Sequence, residues 1–220
     1  MWVSCKTVHF EEIVVSQFNK VFILGINLPN NSNALNDSAL VSLNNELKAF
    51  NENPEYSVAV LHGIGGDFCT GLQKSANKVN AEEVIKTMFS LRKPTVACVT
   101  GITVSFGFQL AVLCDMRIME IDSVLGLNHK TESFEMHPLV LEKLMTQTNI
   151  AGAVDLLLVG HPLHHTDCQK LGLINRAVEC GTCLGKGLKV AASIAKSPLE
   201  EIIKKRDLIY SYKTISMKPK

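Results

Sequence analysis

The 220-residue chain reads as an α/β domain whose alternating strands and helices give way to a helical C-terminal part. Three observations predict this. Short runs rich in β-branched residues alternate with helically periodic segments through the first half. Helical spacing and capping signals dominate the second half. No linker or low-complexity tract divides the chain, and its length suits a single core over residues 1–220.

The elements follow in order. His9–Val15 and Lys20–Asn27 are rich in β-branched and aromatic residues, with Ser16-Gln17-Phe18-Asn19 as the turn of a hairpin. Leu40, Leu43, Leu47 and Phe50 recur at helical spacing behind a capping Asn or Asp, which predicts a helix over Asp37–Asn51. Val58–His62 is a buried strand that leaves through the Gly-rich turn Gly63-Ile64-Gly65-Gly66-Asp67. A helix over Ala81–Leu91 is stopped by Lys93-Pro94, and Thr95–Thr100 is the next strand. Gly101–Ser105 then turns into a helix, Phe106–Cys114, whose nearly all-apolar surface predicts burial on every side at the centre of the fold.

Met116–Ile121 is a strand. Leu139–Gln147, Ala151–Val159 and Thr166–Leu171 are helices, the last with a capping box at Thr166-Asp167-Cys168-Gln169. Ile174–Val178 is a late strand, and Ser197-Pro198 opens the final helix.

Composition narrows the function classes. Lys plus Arg (22) and Asp plus Glu (21) nearly cancel, leaving no field to gather nucleic acid or an anionic membrane. Seven irregularly spaced cysteines, mostly in apolar runs, read as buried thiols of a reducing compartment. The first residues lack the pattern of a signal or transit peptide, Met217-Lys218-Pro219-Lys220 is not a peroxisomal signal, and no apolar run approaches a membrane span. A cytoplasmic or nuclear protein is expected. Cys180-Gly181-Thr182-Cys183 has no second pair to complete a zinc site, and it precedes a helix at the surface; His161-Pro162-Leu163-His164-His165 reads as a polar loop. Gly63-Ile64-Gly65-Gly66 lacks the Lys-Ser/Thr of a phosphate cradle.

Five segments, in this order, resemble the crotonase superfamily of enoyl-CoA hydratases and isomerases. They are Asn33-Ala34-Leu35-Asn36, Gly65-Gly66-Asp67-Phe68-Cys69-Thr70-Gly71, Lys93-Pro94-Thr95-Val96-Ala97-Cys98-Val99-Thr100-Gly101, Leu110-Ala111-Val112-Leu113-Cys114-Asp115-Met116-Arg117-Ile118 and Leu171-Gly172-Leu173-Ile174. The resemblance implies ββα units wound into a spiral of the ClpP/crotonase type, an acyl-CoA ligand with no cofactor required, and assembly as trimers or dimers of trimers. It makes Asp115 the structural residue that ends the buried helix.

The resemblance also implies site residues. An oxyanion hole of two backbone N–H groups would be supplied by Leu72 and Phe106, with Asn33, Ala34, Cys69, Gly71 and Leu72 around the CoA. Phe106 stands where the family has glycine, so its side chain is expected to crowd the acyl site. Gln109 and His129 stand where the resemblance places a hydratase's two glutamates, and His137 where other branches carry an acid. Gln109 cannot ionise, so a histidine, His129 or His137, is the residue type at these places that can carry a proton.

The segment from Gly71 to Lys93 and the C-terminal part are both short against the resemblance, and Gln73 replaces a common Asp. The first reading is therefore a catalytically degenerate protein serving as an interaction module for a protein partner, as in the similar crotonase-like domain of chromodomain-Y-like proteins. The alternatives are an active acyl-CoA hydratase, isomerase or hydrolase that uses the oxyanion hole and a histidine, and a non-catalytic acyl-CoA binder.

Overall fold

The computed structural model of the chain describes residues 11–127 and 136–216. Strand β1 (Ile13–Phe18) turns back into β2 (Val21–Ile26), with Phe18 paired to Val21. The turn is thus Asn19-Lys20, not Ser16–Asn19, and Asn19 takes φ 53°, a left-handed conformation that asparagine tolerates. Ser16, Gln17 and Phe18 belong to the strand. It is an edge strand with most of its residues exposed, so polar residues cost it nothing.

Helix α1 (Asp37–Glu52) is capped by Asn36, whose side chain accepts the Ala39 N–H at 2.8 Å. Strand β3 (Val58–Gly63), helix α2 (Lys78–Ser90) and strand β4 (Thr95–Val99) follow. Lys93 does more than precede a helix-stopping proline. Its ammonium donates to Phe50 O at 2.8 Å and Asn53 O at 2.5 Å, satisfying carbonyls at the end of α1.

Strand β5 (Ile102–Val104) replaces the expected turn at Gly101–Ser105 and leads into the buried helix α3 (Phe106–Leu113). Then come β6 (Met116–Glu120), β7 (Val124–Gly126), α4 (Pro138–Gln147) and α5 (Ile150–Val154). The expected helix over Ala151–Val159 is split: α5 passes into a π turn over Asp155–Val159 and ends at Gly160, φ 68°. Leu163–His164 forms β8, and α6 (His165–Lys170) begins earlier than expected. The capping box at Thr166 is not formed, because the N-cap is His164, which makes no side-chain capping bond. Strand β9 (Arg176–Val178), α7 (Cys183–Ile194) and α8 (Leu199–Ser216) complete the chain.

A six-stranded sheet runs in the order β1-β2-β3-β4-β6-β9, parallel except for the hairpin, and β5-β7-β8 form a smaller second sheet. The inner strands are covered on both faces, which is why β2 and β4 are apolar almost throughout. Leu24, Ile26, Ala59, Leu61, Ala97, Val99 and Met119 face the main core with α1, α2 and α3. Val21, Ile23, Val58, Val60, Val96, Cys98 and Ile118 face α7. This corrects the reading of Cys180-Gly181-Thr182-Cys183 as a surface feature: Cys180 is exposed, whereas Cys183 starts α7 buried against the sheet.

Helix α3 lies in the main core with all eight residues buried, as its composition predicts. Its C-terminal carbonyls are satisfied by the buried Arg117 guanidinium, which donates to Ala111 O (3.1 Å), Cys114 O (2.6 Å) and Leu173 O. Asp115 holds the next layer. It accepts from Thr95 N (2.9 Å), Lys143 Nζ (3.2 Å), Arg206 Nε (3.0 Å) and Tyr210 Oη (2.6 Å), and so ties β4, α4 and α8 to one carboxylate. Among the described residues, no helix is long and apolar enough to cross a membrane.

Candidate active site

The backbone around α3 builds the site. Phe68-Cys69 runs beside Thr100–Val104: Phe68 N–H donates to Thr100 O at 2.9 Å, and Val104 N–H to Cys69 O at 3.2 Å. Gly107 permits this approach, since a Cβ there would fall 1.9 Å from the Cys69 carbonyl oxygen. On the other flank Leu35 N–H donates to Gly71 O (2.9 Å) and Gln73 N–H to Leu35 O (2.8 Å).

These bonds bring two distant turns together. A Cβ added at Gly71 would lie 3.3 Å from Ser105 Cβ, so the turns that lead into Leu72 and Phe106 touch. Neither the Leu72 nor the Phe106 N–H has a backbone acceptor among the described residues. Ser105 sits at φ 54°, ψ −119°, a conformation suited to glycine, immediately before the first turn of α3. The aligned peptide dipoles of α3 add partial positive charge at the same point. An unspent donor at the N-terminus of α3, with a second on the turn that touches it, suits an oxygen that gains negative charge.

The remaining expected residues fall into two groups. Asn33 is buried, and its side chain is consumed by the backbone: Oδ1 accepts Leu28 N–H (2.7 Å), while Nδ2 donates to Ile64 O (3.1 Å) and Asp67 O (2.6 Å). Ala34 is half-buried, with its carbonyl accepting Gln73 Nε2 at 3.0 Å. Cys69 is fully buried, and burial pushes its thiol up to about 12, so it is no nucleophile. Asn33 thus shapes the loops through its side-chain amide, and Cys69 through its backbone carbonyl. The Phe106 side chain is 4% exposed and packs in the main core.

Gln109 and His137 meet. Gln109, three residues along α3 from Phe106, accepts the His137 backbone N–H on Oε1 at 3.1 Å. His137 is the N-cap of α4, and its Nδ1 accepts the Leu139 N–H at 3.2 Å, which leaves Nε2 as the ring nitrogen that carries a proton. On α2, Lys86 lies 2.8 Å from Glu82 and holds that exposed carboxyl below its ordinary range. His129 lies outside the described residues. Among the described residues, no three His, Cys, Asp or Glu side chains come together to hold a metal ion.

Sequence reasoning missed the strained Ser105, the Gln109–His137 bond and the cations around Asp115. The one available signal was Arg117, a cation between the apolar residues of β6, where burial demands partners. A cavity of about 320 Å³ opens beside the Asp115 cluster, between Phe89, Lys143, Arg206 and Tyr210, at the end of α3 away from the two donors.

The profile of the enoyl-CoA hydratase/isomerase family matches residues 17–209. The chain belongs to the enoyl-CoA hydratase/isomerase family. It is 28% identical over 198 residues to the 2,3-dehydroadipyl-CoA hydratase of Escherichia coli (strain K12), covering 86% of this chain and 78% of that one. It is 24% identical over 206 residues to the peroxisomal Delta(3,5)-Delta(2,4)-dienoyl-CoA isomerase of Arabidopsis thaliana, covering 82% and 74%. Among solved structures, enoyl-CoA hydratase EchA1 from Mycobacterium marinum superposes with a TM-score of 0.83 at 23% identity, covering 92% of this chain and 82% of that one. A monofunctional enoyl CoA isomerase from M.smegmatis gives 0.79 at 21%, covering 91% and 92%. These likenesses establish the crotonase fold expected from the sequence. Hydratases of this family bind acyl-CoA thioesters and need no cofactor.

Proposed function

We propose that the chain acts on acyl-CoA thioesters, with the thioester oxygen held by the N–H groups of Leu72 and Phe106 and a proton moved by His137. The observation that carries this reading is the pair of unspent donors brought together where Gly71 meets Ser105. As the α-carbon loses a proton or a nucleophile adds at C3, negative charge develops on the thioester oxygen, and preorganised donors stabilise it without reorganising. His137 is bonded through its backbone to Gln109, one turn beyond Phe106 on α3, which supports its role as the proton carrier beside that oxygen. Hydration and double-bond migration both fit this arrangement.

Gln109 favours a second reading, a non-catalytic acyl-CoA-binding or protein-interaction role, because a carboxamide cannot exchange a proton. The experiment that separates them measures turnover of short enoyl-CoA thioesters alongside binding by calorimetry. The expected result is turnover that falls about 10²–10⁴-fold in His137→Ala. Turnover indifferent to His137→Ala removes the histidine from the mechanism, and binding without turnover establishes the non-catalytic reading.

A further inference from the structure

The cavity of about 320 Å³ beside Asp115 lies between α2, α4 and α8 and plays no part in the site described above. Its buried wall carries more positive than negative charge. Lys143 and Arg206 both line it, their side chains are only 8% and 14% exposed, and both are held by the single carboxylate of Asp115. Arg206 spends Nε on that carboxylate, and among the described residues neither of its terminal nitrogens has an acceptor. Arg117 is committed to the carbonyls at the end of α3 and cannot answer for them. Burial lowers the Lys143 ammonium, and against the opposing pull of Asp115 the like charges of Arg206 and Arg117 lower it further. Glu142 and Asp207 also line the cavity, but both are exposed, and among the described residues neither pairs with Lys143 or Arg206.

We propose that this cavity binds a small monocarboxylate with a short apolar body, its carboxylate held by the terminal nitrogens of Arg206 and the Lys143 ammonium. A guanidinium with its terminal N–H groups unspent presents a planar fork that matches the two oxygens of a carboxylate. Two cations on one carboxylate leave a single positive charge to be answered, and a largely buried charge without a partner is costly. One negative charge suffices. A phosphate dianion brings more than that, and it meets the exposed carboxylates of Glu142 and Asp207 on the same lining. Lys143 already covers the Tyr210 ring, 3.7 Å from its centroid, so the half-buried Phe89 on α2 is the apolar wall left for the body of the ligand. The volume lies at the small end of ligand sites, which run from about 300 to 1,000 Å³.

The test is calorimetric titration of the full chain with benzoate, benzamide and inorganic phosphate, with backbone amide shifts followed by NMR. The expected result is benzoate binding at least about tenfold tighter than benzamide, which keeps the ring and loses the charge, and tighter than phosphate. The shifts should gather at Thr146, Asp207 and Ser211 and spare Leu72 and Phe106. Arg206→Lys keeps a cation for Asp115 but loses the fork, and it should weaken benzoate about tenfold, with circular dichroism checking that the variant folds. No benzoate binding at millimolar concentration, equal binding of benzamide, or tighter binding of phosphate overturns the proposal. So does a benzoate response centred on Leu72 and Phe106, or an unchanged affinity in folded Arg206→Lys. Should that variant not fold, the wild-type shifts and the benzamide comparison decide.

Discussion

Ser105 and Gly107 flank Phe106 and answer opposite constraints. Ser105 holds φ 54°, where a Cβ is strained, while Gly107 has no Cβ because the Cys69 carbonyl oxygen occupies its place 1.9 Å away. Ser105→Gly is expected to raise stability by up to about 1 kcal/mol by removing the strain, with the two backbone donors still in position. Gly107→Ala should cost about 3 kcal/mol or more, since backbone cannot move aside as a side-chain tip can. Urea unfolding of the two variants checks both signs, and a neutral Gly107→Ala would mean that the packing of α3 on Cys69 is looser than described.

Between elements, the decisive contact is the clamp of Asp115 on α4 and α8. Burial pushes this carboxyl up, but Lys143 and Arg206 outweigh it, with hydrogen bonds from Arg206 and Tyr210, and hold it below the usual carboxylate range. A folded value below the unfolded one means stability that is complete above the unfolded pKa, about 3.9, and is lost as pH falls from there through the folded value. Asp115→Asn would strand the buried Lys143 and the half-buried Arg206 without their counter-charge and is expected to cost about 3–5 kcal/mol at neutral pH. Denaturant midpoints taken across the acid range should show the wild-type advantage over Asp115→Asn shrinking below about pH 3.9. An advantage that persists unchanged to the lowest pH would remove the ionised clamp. The cluster includes Lys143 Nζ 3.7 Å from the Tyr210 ring centroid, so Tyr210→Leu should loosen α8 as well.

At the scale of the whole molecule, the candidate site depends on two turns more than thirty residues apart that meet beside α3. A ligand oxygen bonded to both should therefore protect both at once. On saturation with a CoA thioester, amide exchange at Leu72 and Phe106 is expected to slow together, with a stability gain of about 2.7 kcal/mol when free ligand is a hundredfold above Kd. Protection of one amide without the other would show that the two do not share an acceptor. The amino-acid sequence determined the α/β class, most of the element order, the central burial of Phe106–Cys114 and the family, because apolar periodicity and capping residues are local and the five motifs stand in fixed order. Its resemblance to the family also offered Leu72, Phe106 and Gln109 as candidate site positions. It misplaced the Asn19-Lys20 turn and the start of α6, where an exposed edge strand and an unused capping box leave no apolar pattern to read. Only the tertiary structure decided that Gly71 touches Ser105, that Gln109 is bonded to His137, that Cys183 is buried and that Lys143, Arg206 and Tyr210 converge on Asp115. Such pairings join residues far apart in the chain. They are settled by which surfaces the sheet and α3 bring into contact, a matter of global packing that no local spacing encodes.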